Sequence, residues 1–183
     1  MVFAVDVDNT ICNLQEVVTS LFNQRYGTNY SLDDFTEYNV ENSLSVKEAV
    51  AMKEMYGEYG IYDNVRPIDG AQDALQKLIN AGHSVYLVTD AIPKNYNEKI
   101  AWINHYFPFI DVAHVIAMKH KWLLRVDVMI DDCLDHILAR PYYDRIVFDH
   151  PWNRNVHDEV YGIHRCSSWN EIMDVVNKIK EEE

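Results

Sequence analysis

Two carboxylates one residue apart, Asp6 and Asp8, follow an apolar run at the start of the chain, in the stretch MVFAVDVDNTICN. Residues i and i+2 of a strand share a face, so this spacing holds two negative charges together. Burying ionised carboxylates without a partner costs several kcal/mol or more, so such a pair is matched by cations or holds a metal. Two other apolar runs end in the same manner, residues 84–88 in Thr89-Asp90 and residues 127–130 in Asp131-Asp132. Ligands of open α/β sheets bind beyond the carboxyl ends of the strands. If these three strands are neighbours, Asp6, Asp8, Asp131 and Asp132 meet at one rim with a hydroxyl. A divalent cation relieves that repulsion. Magnesium suits it best, because it takes hard oxygen ligands, keeps waters and binds through one or two carboxylates plus a substrate phosphate. Taken alone, Asp131-Asp132 reads equally well as the cap of a following helix.

The elements that must position these groups follow from hydrophobic pattern. Residues 2–7 form a short β-branched run without alternation, as in a parallel strand covered on both faces. Residues 14–65 differ in character, with helical spacing at Val17, Val18, Leu21 and Phe22 and capping boxes at Ser31–Asp34 and Ser45–Glu48. They read as a small helical insertion. From Pro67 onward strands and helices alternate. Helices are expected from Asp69 to Gly82, over 96–107, near 137–139 and from Ser168 to the acidic tail, and strands over 84–88, 112–116, 127–130 and 145–148. That alternation predicts an α/β fold, a Rossmann-like parallel sheet core with right-handed crossovers and a small helical cap after the first strand. The expected domains are 1–13 with 66–183 for the core, and 14–65 for the cap.

The totals set limits on function. The chain has 183 residues and a formal net charge of -13, which argues against a nucleic-acid polymer as partner. No run approaches the ~20 apolar residues of a membrane span, and no signal peptide precedes the first strand. Cys12, Cys133 and Cys166 lack metal-ligand spacing and read as apolar packing residues of a reducing, cytoplasmic protein. The eight histidines form no i, i+4 pair flanking a glutamate, so a zinc hydrolase is not indicated. His120 reads as a surface or rim residue.

The motifs together resemble those of the haloacid dehalogenase-like phosphatases. Asp6-Val-Asp8-Asn9-Thr10 is similar to their first motif, Thr89 to the second, Lys121 to the third and Asp131-Asp132 to the fourth, in the right order over nearly the whole chain. The resemblance implies nucleophilic catalysis by Asp6 through an aspartyl-phosphate, with Asp8 as acid and base. It implies Thr89, Lys121 and Asn9 around the phosphoryl group, and Mg2+ held by Asp6, Asp8 and Asp132, with Asp131 beside them. Lys119 is a rival to Lys121, which the family spacing favours. Within the superfamily the chain is most similar to small 5'-nucleotidases of the deoxyribonucleotidase type, in residues 61–71, 99–108, 127–132 and 149–154. Leu14 stands where those enzymes carry a phenylalanine against the base, and Asp90 where they carry a serine. The resemblance places Tyr56 against the nucleobase, with Phe35 and Tyr38 in a second such stretch.

The expected activity is a Mg-dependent phosphomonoesterase acting on (deoxy)ribonucleoside monophosphates. The alternatives are a phosphatase of small sugar or other organic phosphates, and a catalytically silent binding protein of the same fold. The expected partner is a small phosphomonoester, with a homodimer left open.

Overall fold

The structure is a computed structural model that describes residues 1–90, 92–140 and 142–182. Six strands form one parallel sheet: β1 (Val2–Val5), β2 (Ser84–Thr89), β3 (Val115–Ala117), β4 (Val128–Asp131), β5 (Asp144–Phe148) and β6 (Ile163–Cys166). Their order is β3-β2-β1-β4-β5-β6. Among the described residues seven α-helices accompany them: α1 (Leu14–Tyr26), α2 (Val46–Tyr56), α3 (Ala71–Asn80), α4 (Tyr96–Tyr106), α5 (Leu134–Ile137), α6 (Asp158–Tyr161) and α7 (Trp169–Glu182).

The first apolar run becomes the centre of the sheet because both its faces are covered. Phe3 and Val5 join Val85, Leu87, Val128 and Ile130 in one apolar cluster, packed with Trp102, Ile103, Trp169 and Ile172. Ala4 points the other way, with Val88, Met129, Val147 and Ile137. Alternate residues thus serve opposite cores, and the run needs no polar face. The strand ends at Val5, two residues short of the expected 2–7.

Register sets the site. Val5 pairs with Leu87 on one side and with Ile130 on the other. Asp6, Thr89 and Asp131 therefore leave the sheet at nearly one level. β1 is where the chain crosses from one half of the sheet to the other, the kind of switch point at which such sheets bind ligands.

Residues 14–65 contribute α1, α2 and three short 3-10 helices, and no strand among the described residues. Both capping boxes form, though Ser31–Asp34 caps only the single 3-10 turn Leu32–Asp34. Val18, Phe22, Phe35, Met52 and Met55 are buried in the same cluster as the sheet residues Phe3 and Val5. The chain leaves and re-enters side by side: Asn13 N–H donates to Arg66 O at 3.1 Å, and Arg66 N–H to Asn13 Oδ1 at 2.8 Å.

Three expectations shift. Residues 112–114 form a 3-10 turn and the strand is Val115–Ala117. The helix after the acidic pair is Leu134–Ile137 rather than 137–139. α6 and β6 were not anticipated. No described helix is long and apolar enough to cross a membrane.

Candidate active site

Asp6, the first residue beyond β1, is buried, and its N–H donates to Ile130 O at 2.9 Å. The Lys121 ammonium contacts Asp6 Oδ1 and lies 2.8 Å from Asp131 Oδ2. Lys121 comes from the 3-10 turn Lys121–Leu123 and is 1% exposed, while Lys119 is exposed and touches neither carboxylate. Asp131 is tied further, accepting from Cys133 N–H at 2.9 Å and lying 3.0 Å from His136 Nδ1. Asp132 has less. Its carboxylate accepts from Trp152 Nε1 at 3.0 Å, and its backbone carbonyl from Asn153 Nδ2 at 2.9 Å.

Charge balance separates these acids. Burial pushes the Asp6 carboxyl up to about 7, Lys121 opposes this, and Asp131 and Asp8 add to it. Burial, then Asp6 and Asp131, hold Asp132 well above the usual carboxylate range. For Asp131 burial is outweighed by Lys121 and His136, which hold it down at about 2. Burial works against the Lys121 charge as well, but Asp131 and Asp6 hold its ammonium above its ordinary value. One lysine thus faces three buried acids. Asp6, Asp131 and Asp132 offer carboxylate oxygens within 4.8 Å of one another. Close, buried, hard oxygens short of positive charge suit a divalent cation.

Asp8 is turned away from that triad. Oδ1 accepts from the Tyr62 hydroxyl at 2.9 Å, and Oδ2 from Lys99 Nζ at 2.5 Å. Lys99 also donates to Thr89 Oγ1 at 2.8 Å and to Asp90 O at 3.1 Å. Thr89 is fully buried, whereas Asp90 is exposed. Asn9 has φ 60° and sits at the turn after the two acids. Its Oδ1 accepts from Gln15 N–H at 2.7 Å in the first turn of α1, and its carbonyl lies 2.6 Å from His150 Nε2.

A cavity of about 330 Å³ opens beside these groups, lined by Asp8, Asn9, Lys99 and Asp132, by the apolar residues Leu14, Phe35 and Ile92, and by Tyr56. That volume falls in the range of small-molecule sites. A second cavity, of about 660 Å³, lies towards Lys119, His120 and His136. Tyr38, Asp90, Asp132 and Trp152 line both. All of these groups come from one chain.

A family model described as "5' nucleotidase, deoxy (Pyrimidine), cytosolic type C protein" matches residues 1–182. The chain belongs to this nucleotidase family. The family is one of phosphomonoester hydrolases. A 5'(3')-deoxyribonucleotidase of Bacillus subtilis is 33% identical over 117 residues, 63% of this chain and 64% of that protein, so the match spans just under two thirds of the relative. A haloacid dehalogenase-like hydrolase of Streptococcus pneumoniae superposes with a TM-score of 0.66 at 14% identity, covering 96% of this chain and 97% of the other. A second, from Xanthomonas campestris, gives 0.60 at 14%, covering 100% and 96%. The chain has the haloacid dehalogenase-like fold.

Within this nucleotidase family member, Asp6, Asp131, Asp132, Lys121, Asp8 and Thr89 converge at one sheet edge, and Asn9 and Tyr56 line the adjoining cavity. Sequence reasoning missed Lys99, Tyr62 and Gln15. Each sits at a position that also reads as ordinary helix or linker, and only folding brings it to Asp8 or Tyr56.

Proposed function

We propose that the chain is a magnesium-dependent phosphomonoesterase that releases phosphate from (deoxy)ribonucleoside monophosphates, working in the cytoplasm. The observation that carries this is a buried carboxylate at the end of the central strand, Asp6, in contact with Lys121 beside an aromatic-walled cavity.

Lys121 occupies Asp6 Oδ1, which leaves Oδ2 to attack phosphorus. The P–O bond to the nucleoside breaks as the Asp6–P bond forms, giving an aspartyl-phosphate on Asp6. Asp8 supplies the proton that the departing nucleoside oxygen needs, then takes one from the water that attacks the aspartyl-phosphate. Phosphate leaves and Asp6 is regenerated. Thr89 and Lys121 hold the phosphoryl oxygens, with Asn9 at the same turn. Asp6 and Asp132 would hold magnesium through side chains and Asp8 through its backbone carbonyl, with Asp131 fixing Lys121. The ion supplies charge neutralisation beside the phosphoryl group. Residues 14–65 serve as a cap over a core of 1–13 and 66–183, and supply the aromatic wall through Phe35 and Tyr56.

A phosphate-release panel with magnesium tests this, comparing nucleoside monophosphates with sugar phosphates and including Asp6→Asn. Nucleotides are expected to lead, and the folded variant to be inactive. Faster release from sugar phosphates would replace the substrate assignment. Turnover by verified Asp6→Asn protein would remove the aspartyl-phosphate route.

A further inference from the structure

One stretch of the smaller cavity's wall, Gln15 and Tyr56, has a fixed hydrogen-bond polarity. The Thr19 hydroxyl donates its one proton to the Gln15 backbone carbonyl at 2.7 Å. Its oxygen can then only accept, and it does so from Gln15 Nε2 at 3.2 Å. This settles which way the Gln15 amide faces. The second Nε2 proton points to Met52 Sδ at 3.9 Å, and Oε1 meets the Tyr56 hydroxyl. Because Oε1 carries no proton, Tyr56 is the donor in that contact.

Gln15 and Tyr56 both line the cavity, and with their protons engaged they offer it only lone pairs. Both are held in place. Gln15 is 6% exposed with its N–H on Asn9 Oδ1, and the Tyr56 carbonyl accepts from Asn95 Nδ2 at 2.6 Å. The buried cation nearby does not reverse the polarity of this pair, because Lys99 is engaged by Asp8, Thr89 and Asp90 O.

We propose that Gln15 and Tyr56 form a two-acceptor reader that selects nucleobases bearing an exocyclic amine over those bearing a keto oxygen at that place. The inference rests on the nucleotidase reading above and adds a base preference to it. An amine has two N–H groups and satisfies both acceptors at once. A carbonyl oxygen there meets lone pairs on both, which leaves it and the Tyr56 oxygen desolvated without protons, since Gln15 Oε1 already accepts from Tyr56.

Cytosine has an amine at C4 and a bare N3, uracil a keto oxygen at C4 and an N3–H, so for acceptors placed against C4 dCMP and dUMP are the deciding pair. With magnesium, kcat/KM is expected to favour dCMP by about tenfold or more, the effect of leaving buried polar groups unpaired. Gln15→Leu frees the Tyr56 proton to turn towards the cavity and donate. That variant is expected to lose the preference by gaining on dUMP as well as losing on dCMP. Tyr56→Phe removes an acceptor and frees no proton, so it should lose on dCMP without gaining on dUMP. Hydrolysis of p-nitrophenyl phosphate reports folding, and Tyr56→Phe covers the case in which Gln15→Leu does not fold. A second pair, dAMP against dIMP, should follow the same sense. Equal rates on dCMP and dUMP, a preference for dUMP, or a preference for dCMP that survives in both variants would overturn the inference while leaving the nucleotidase reading intact. Loss of all nucleotide turnover in wild-type protein that still cleaves p-nitrophenyl phosphate would remove both.

Discussion

Lys99 is buried in a site where the sequence gives no reason to look for it. It lies in α4 among polar residues, and a lysine there reads as part of a solvated helix face. In the fold it is 3% exposed, and its three ammonium protons go to Asp8 Oδ2, Thr89 Oγ1 and Asp90 O. Asp6, Asp8, Thr89, Lys121 and Asp132 were legible because each follows or precedes an apolar run that had to be a strand. Lys99, Tyr62 and Gln15 were not, because their partners are distant in sequence, 91 residues away for Lys99 and Asp8. Lys99 joins the proposed proton donor to the proposed phosphoryl-binding hydroxyl. Lys99→Met keeps much of the side-chain length but leaves Asp8 held only by the Tyr62 hydroxyl and, at 3.8 Å, the Cys12 thiol. Its kcat for nucleotide hydrolysis is expected to fall about a hundredfold or more, the range for losing a charged donor at a reacting centre. Lys99→Arg should not restore the rate, since a planar guanidinium cannot place one nitrogen against three convergent acceptors. Steady-state phosphate release decides it, and wild-type rates in the arginine variant would mean that positive charge alone suffices.

Elements were readable where burial alone determined them and unreadable where specific partners did. β1, β2 and β4 are apolar runs covered on both faces, so composition and length identify them. β6 has His164 and Arg165 at its centre. It lies at the sheet edge, where Arg165 is held by Asp149, Asp158 and Asn153 rather than by apolar packing. The turn into α3 shows a constraint of the same hidden kind. Gly70 has φ 82°, and a Cβ there would lie 3.3 Å from Trp169 Cβ. Trp169 opens α7 and donates through Nε1 to Thr10 O at 3.0 Å, so the contact reaches the turn that follows Asp6 and Asp8. Gly70→Ala combines a left-handed backbone with crowding and is expected to cost about 1–3 kcal/mol. That corresponds to a fall in Tm of about 2–10 °C for a chain of this size. The kcat of the folded fraction should change little, because no side chain of the carboxylate cluster is displaced directly. Thermal unfolding followed by circular dichroism measures it, and an unchanged Tm would show that Trp169 yields without cost.

For the molecule as a whole, the carboxylate rim opposes folding unless something positive joins it. The chain carries a net charge of -13, and part of that excess is three buried acids at the rim that one lysine cannot balance. Two of them make opposite contributions to stability. Asp131, held at about 2 against an ordinary 3.8, stabilises the fold above that ordinary value, and the contribution is lost as pH falls towards 2. Asp6, pushed up to about 7 from 3.8, keeps its proton in the fold while the unfolded chain has lost it. The native state then binds more protons than the unfolded one, so stability without metal falls as pH rises from about 4 to about 7. At the proposed metal site, magnesium would compete with this proton for the same carboxylates. The rise in Tm produced by magnesium should therefore be small at pH 5 and clearly larger at pH 8, where Asp6 gives up its proton at little cost. Binding to the native state alone raises stability with the logarithm of free ion, so the shift should also grow with magnesium concentration. Asp132→Asn removes one acid of the cluster and should abolish most of the shift at both pH values, while raising the Tm of the metal-free protein, since the fold no longer has to hold that carboxyl well above its ordinary range. Melts at pH 5 and 8, with magnesium or with chelator, provide the measurement. A magnesium shift equal at the two pH values, or one that persists in Asp132→Asn, would place the ion elsewhere than on these acids.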